Sequence, residues 1–246
     1  MEKLFDIVHE DSNLLVISKP ANLVCHPTKG DVYSSLISRA RLYLGPDIQP
    51  QLINRLDRET SGLTLVAKNP ETARELRILW EKREVRKRYA AIVHGHVEAD
   101  QGTVEAPLGK DDASPCAIKD CVRPDGALST TSFSVIRRFT HARGPFSLLN
   151  VEPLTGRKHQ IRIHLAHIGH PIVGDKIYGG DELIYLSFVK GKLTEEQKQR
   201  LILPNQALHA AEVSFTWRND LTVFRAQPEP WFQEFAGQMN PAAPLP

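Results

Sequence analysis

Four charged side chains fall within five residues of the segment Asn54-Arg55-Leu56-Asp57-Arg58-Glu59-Thr60-Ser61-Gly62-Leu63. A Thr-Ser-Gly turn follows them and feeds an apolar run from Leu63 to Ala67. Asp57 stands between Arg55 and Arg58. Positive neighbours within about 4–6 Å lower a carboxyl pKa and keep the group ionised. An ionised Asp can serve as nucleophile or electrostatic stabiliser. The same residues also fit a surface ion-pair loop in which Asp57 braces the turn, since structural ion pairs perturb titration as well.

A second chemistry-bearing segment runs from Thr155-Gly156-Arg157-Lys158-His159-Gln160-Ile161-Arg162 to Gly179. Between Arg157 and His170 it carries Arg157, Lys158, Arg162 and four histidines, with no acid. A helix starting near Thr155 would gather N–H groups, Arg157, Lys158 and His159 at its positive end, a place for phosphate. His164, His167 and His170 raise a metal reading. Gly169-His170-Pro171 should break the helix before His170, and neither an HExxH pattern nor a nearby acidic ligand accompanies them. No metal site is expected. There is no GxGxxG between strand and helix and no GxxxxGK[ST], and Gly174-Asp175-Lys176 does not complete a phosphate loop. Nucleotide-cofactor chemistry therefore has no support.

Charge is balanced overall: 31 basic against 29 acidic residues give +2. The distribution is uneven. Arg74, Arg77, Lys82, Arg83, Arg86, Lys87 and Arg88 outnumber Glu75, Glu81 and Glu84 in one stretch. Together with the Arg157–His170 stretch this suggests a one-sided positive surface suited to a polyanion, although such runs are often only solvated faces.

The elements that must position these residues are strands and short helices. Phe5–Val8, Leu14–Ile17, Leu63–Ala67, Tyr89–Val97 and Leu208–Trp217 read as strands. Thr131–Phe139 and Phe146–Val151 read as a hairpin, and residues 98 to 130 as short strands joined by loops. Ser34–Leu44 reads as a helix capped by Ser34, Pro70 to about Trp80 as another, and Arg157–Ile168 and Thr194–Leu203 as two more. Strands mostly follow one another through short turns, which points to α+β with a mixed, largely antiparallel sheet and flanking helices. At 246 residues, with no repeat and no strong linker, one domain over 1–246 is the simplest reading, with a frayed tail from about residue 239. No apolar run reaches the roughly 18 residues of a membrane span. The three cysteines, Cys25, Cys116 and Cys121, make no disulfide framework and fit a reducing cytoplasm. No heptad pattern is legible, so a monomer is expected.

Five segments in order resemble the RluA-type pseudouridine synthase family. NRLDRETSGL is similar to the family's HRLDRxTSGL. EDSNLLVISKPANLVCHP, KRYAAIVHG, TGRKHQIRIHLAHIGHPIVGDKIYG and ALHA resemble its other motifs, so the likeness covers roughly residues 5–217. It implies the pseudouridine synthase fold with a central catalytic cleft, and isomerisation of uridine in tRNA or ribosomal RNA. Carried over residue by residue, Asp57 matches the catalytic aspartate and Arg162 the basic residue that pairs with it. Tyr89 matches the tyrosine that stacks on the flipped base. Arg55 matches the arginine that enters the nucleic acid stack, and Ile161 an apolar pocket position. Arg157, Lys158 and His159 are then candidates for RNA phosphate. Asn54 departs from the family's usual His, at a position that supports the loop. No separate S4-type RNA-binding module fits before residue 5. The implied reaction oxidises nothing and imports no group, so no cofactor is required. Two other readings are a non-catalytic RNA-binding protein that keeps the fold, and a metal hydrolase built on the His cluster.

Overall fold

The computed structural model describes residues 4–27 and 34–237. In chain order the first elements are β1 (Asp6–Glu10), β2 (Leu14–Lys19), α1 (Leu36–Leu44), β3 (Gln51–Leu52), β4 (Ser61–Ala67), α2 (Pro70–Glu81) and β5 (Arg86–His94). There follow β6 (Gln101–Glu105), β7 (Leu108–Lys110), β8 (Asp120–Val122), β9 (Thr130–His141), β10 (Gly144–Pro153) and α3 (Gln160–His167). The last are α4 (Leu183–Val189), α5 (Glu195–Leu201), β11 (Leu208–Trp217), β12 (Asp220–Arg225) and α6 (Pro230–Phe235). The contacts group into two compact units, Met1–Arg88 with His209–Gln233, and Tyr89–Leu208 with Glu234–Pro246. The tail expected to fray lies outside the described residues.

In the first unit the strand order is β1-β2-β4-β11, with β12 on β11 and β3 on β4. The pairings are antiparallel except β4 with β11, which is parallel. The continuous apolar run of β2 is explained by two covered faces. Leu14 and Val16 pack with Leu63, Leu65, Val213 and Phe215 against Leu76 of α2. Leu15 and Ile17 point the other way and pack with Val66 against Leu36 and Ala40 of α1. The two-residue period of a strand thus places two helices on opposite faces.

The second unit holds an antiparallel series β5-β10-β9-β6 and the small hairpin β7-β8. The long β9–β10 hairpin turns between His141 and Gly144, as the sequence pattern predicts. The mixed, largely antiparallel α+β class is as expected.

Two of the four expected helix starts differ from the sequence reading. Ser35, not Ser34, caps α1: its side chain accepts the Ser38 N–H. The Leu36 and Ile37 N–H groups are committed to the carbonyls of Val24 and Cys25, so the chain enters the helix only there. α2 starts at Pro70 as expected, with Asn69 accepting the Thr72 N–H. α3 starts at Gln160 rather than Arg157, because His159 takes a left-handed φ of 55°. Thr194 caps α5 in a reciprocal capping box with Gln197. The apolar seven-residue α4 escapes the pattern because it spans barely two turns.

Candidate active site

The Asp57 segment connects β3 to β4, and four side chains hold it in place. Asn54 is the first brace: its Nδ2 donates to the Leu63 carbonyl at 3.1 Å, and its Oδ1 accepts the Leu65 N–H at 2.8 Å. The Asn at this position therefore supports the loop with both ends of its amide. Cys25 is the second, with Sγ 3.4 Å from both the N and the O of buried Leu56. Lys19 is the third. It is fully buried, and its Nζ donates to the carbonyls of Pro20 (2.9 Å), Leu23 (2.8 Å) and Arg58 (3.1 Å). Burial pushes its ammonium down to about 8, against the opposing pull of Cys25, Glu229, Asp57 and Glu59. The last is His209, whose Nδ1 lies 2.9 Å from Ser61 Oγ and whose Nε2 lies 3.0 Å from the Ala226 carbonyl. Burial drives its pKa down to about 4, so it is a neutral core histidine.

Between these braces the Asp57 carbonyl accepts the Thr60 N–H at 3.2 Å and closes a tight turn. Asp57 is half-buried and Arg55 exposed. Arg58 turns its Nε to Asn22 Oδ1 at 2.8 Å. Gly62 then enters β4 with φ +107°, where a Cβ would overlap the Ala210 backbone of β11. Only glycine satisfies both demands.

The candidates of the second unit lie on β5 and around α3. Tyr89 is half-buried on β5 opposite Val151 of β10. Ile161 and Arg162 are both buried, at 7% and 4% exposure. Arg162 meets Asp175 through Nε (2.7 Å) and Nη2 (2.9 Å), a bidentate pair. Burial alone would raise the Asp175 carboxyl. The Arg162 charge and its hydrogen bonds, with the N–H groups of Tyr178 and Ile177, outweigh it and leave the group below its ordinary value.

The acid-free stretch is not the continuous positive surface its local sequence suggests. Arg162 is buried in an ion pair with Asp175, and Lys158 pairs with Asp120 at 2.8 Å. His164 is buried between Thr131 Oγ1 (2.9 Å) and the Ala106 carbonyl (3.0 Å), with burial lowering its pKa. Nor does a helix N-terminus at Thr155 await phosphate. The Arg157 N–H donates to Gln160 Oε1 at 3.0 Å, and that oxygen also accepts Thr155 Oγ1 at 2.7 Å. His159 Nδ1 lies 2.9 Å from the Tyr178 hydroxyl. Arg157 and Lys158 remain exposed. In the first unit Arg74, Arg77, Lys82, Arg83 and Arg86 form an exposed basic set along α2 and the start of β5.

Sequence reasoning missed Lys19, Gln160, Asp175 and Tyr178. Lys19-Pro20 reads locally as a strand end, and Asp175 as part of an incomplete phosphate loop. The available signal was an Asp following a glycine that needs φ > 0: Gly174 sits at +81°. Among the described residues no group of three His, Cys, Asp or Glu could hold a metal ion. No described helix is long and apolar enough to cross a membrane.

Residues 13–167 match the family described as RNA pseudouridylate synthase. The uncharacterized RNA pseudouridine synthase YlyB of Bacillus subtilis is 35% identical over 180 residues, covering 71% of this chain and 57% of the relative. The ribosomal large subunit pseudouridine synthase D of Pseudomonas aeruginosa is 37% identical over 217 residues, covering 83% of this chain and 62% of the relative. This chain thus spans less than two thirds of either relative. Among solved structures, human RNA pseudouridylate synthase domain containing 4 aligns with TM-score 0.69 at 25% identity, over 92% of this chain and 89% of that one. Human RNA pseudouridylate synthase domain containing 1 shares the fold, with TM-score 0.73 at 24% identity over 95% and 88% of the two chains.

Proposed function

The chain belongs to the RNA pseudouridylate synthase family, and from that premise we propose that it isomerises uridine to pseudouridine in structured RNA, with Asp57 as the reacting carboxylate. The conversion breaks the N1–C1′ bond of uridine, turns the base and joins C5 to C1′. Asp57 attacks C1′ or C6 of an extruded nucleotide, as carboxylates do in covalent catalysis. Arg162 supplies the cation that favours the charged carboxylate. Tyr89 gives the flipped uracil an aromatic face, Arg55 fills the space the base leaves, and Ile161 lines the pocket. Arg157, Lys158, His159 and the exposed basic set of α2 meet phosphate. Residues 1–246 act as a single catalytic domain, a monomer working without a cofactor in the cytoplasm. Ribosomal RNA is the first substrate to test and tRNA the second, since the Pseudomonas aeruginosa relative is named for the large ribosomal subunit.

The observation that carries this reading is the tethering of the Asp57 loop. Lys19, Asn54 and Cys25 fix its backbone while leaving the Asp57 side chain half-buried. Such preorganisation is what a positioned nucleophile needs. Forming the C5–C1′ bond expels the hydrogen on C5, so RNA carrying tritium at that carbon reports turnover directly. Wild-type protein should release tritium. Asp57→Ala and Asp57→Asn should release none while still binding RNA in a filter assay. Substantial release by Asp57→Ala overturns the assignment.

A further inference from the structure

The Arg162–Asp175 pair is 4% and 2% exposed. Taking two such charges out of water costs several kcal/mol per ion, and well-packed apolar residues of the same volume often serve stability equally well. Its geometry suits a different purpose. Asp175 Oδ2 accepts from Arg162 Nε and Oδ1 from Nη2, so one edge of the planar guanidinium is gripped. Oδ1 also accepts the N–H groups of Ile177 (2.9 Å) and Tyr178 (3.0 Å), which fixes the carboxylate itself. The Tyr178 ring lies against the guanidinium, 5.0 Å from centroid to Cζ. The Tyr178 hydroxyl is in turn held by the Asp120 N–H (3.2 Å) and sits beside His159 Nδ1 (2.9 Å). Gly174 brings Asp175 into place with φ +81°, at a point where a Cβ would overlap the Asn205 carbonyl. With one edge and one face fixed, the opposite edge of the Arg162 fork has a single direction.

We propose that Asp175 is the positioning residue of the reaction, with Tyr178 as its accessory wall: together they aim the Arg162 guanidinium, and Asp175 acts on the chemistry only through Arg162. This rests on the reading of Arg162 as the cation of the uridine isomerase site.

A double-substitution cycle on the full chain tests it, with tritium release for kcat and KM and filter binding for RNA affinity. Asp175→Asn keeps the volume but weakens the grip. A misplacement of about 1 Å costs on the order of a hundredfold in rate, so kcat should fall by about that factor, with KM and RNA affinity held within about twofold. Arg162→Lys keeps the charge and loses the fork, and should be slow by itself. Adding Asp175→Asn to Arg162→Lys should cost no more than about twofold further, the signature of residues that act as one unit. A full additional hundredfold loss in the double variant, or wild-type kcat in Asp175→Asn or in Arg162→Lys, overturns the proposal. If Asp175→Asn does not fold, judged by its urea transition, Tyr178→Leu decides: a slowed kcat at unchanged RNA affinity supports the clamp, and an unchanged kcat overturns it. Asp57→Ala is run alongside. Activity that needs Asp57 but ignores Asp175 defeats this inference alone, whereas activity that ignores Asp57 defeats the reading beneath it.

Discussion

Lys19 to Met is the substitution whose consequence can be worked out furthest. The Lys19 ammonium is fully buried, and burial lowers its pKa from 10.5 to about 8. At 1.36 kcal/mol for each tenfold change, keeping it charged in the folded protein costs about 3 kcal/mol relative to the unfolded chain. That penalty is present in full below pH 8. Between pH 8 and 10.5 the unfolded chain holds the proton and the folded protein has released it. Unfolding then takes up protons, so stability from this group rises with pH across that window. The Met variant has no such term, and it leaves the carbonyls of Pro20, Leu23 and Arg58 without the donor that now serves them. Each stranded carbonyl costs about 1–3 kcal/mol. Urea unfolding of both proteins from about pH 7 to pH 10 measures the outcome. The wild-type advantage should widen by about 2–3 kcal/mol between pH 7 and pH 10. Groups common to both proteins cancel in the difference. Parallel stability curves would refute the reasoning, because they would mean that Lys19 titrates as an ordinary surface lysine.

Other substitutions probe the same loop and the proposed platform. Gly62→Ala forces a side chain into a left-handed backbone and onto Ala210, so its urea midpoint should correspond to a loss of about 2–6 kcal/mol; an unchanged midpoint counts against that packing. Asn54→Leu strands the Leu63 carbonyl and the Leu65 N–H and should cost about 1–3 kcal/mol, while Asn54→His, which restores a donor and an acceptor, should lie closer to wild type in the same assay. Tyr89→Leu should slow tritium release by about 10–100-fold, since base stacking on an aromatic is worth roughly 1–3 kcal/mol. Tyr89→Phe should lose no more than about tenfold, and equal rates for Leu and wild type would remove the stacking role.

Much of the fold was legible because its signals are local. The buried strand Leu14–Ile17, the Pro70 helix start and the β9–β10 hairpin are each written within about a dozen adjacent residues. The start of α3 was not, because it depends on Gln160 folding back onto Thr155 and Arg157 and on His159 entering the left-handed region. Ser34 and Ser35 are equally good caps by type. Only the bonds from Leu36 and Ile37 to Val24 and Cys25 choose between them.

Local sequence determined the main strands β1, β2, β4, β5, β9, β10 and β11 and their order along the chain, and that an Asp lies on a charged loop before β4; the short β3 and the late β12 were not legible. Hydrophobic period and turn chemistry are properties of neighbouring residues, and they survive without knowledge of the rest of the chain. Tertiary structure alone decided what each charge meets. Lys19 reaches the Arg58 carbonyl across 39 positions, Lys158 finds Asp120, and Arg162 is gripped by Asp175. A charge takes its energy and its pKa from whatever folding brings within a few ångströms and from how much water remains. A local stretch of sequence encodes neither.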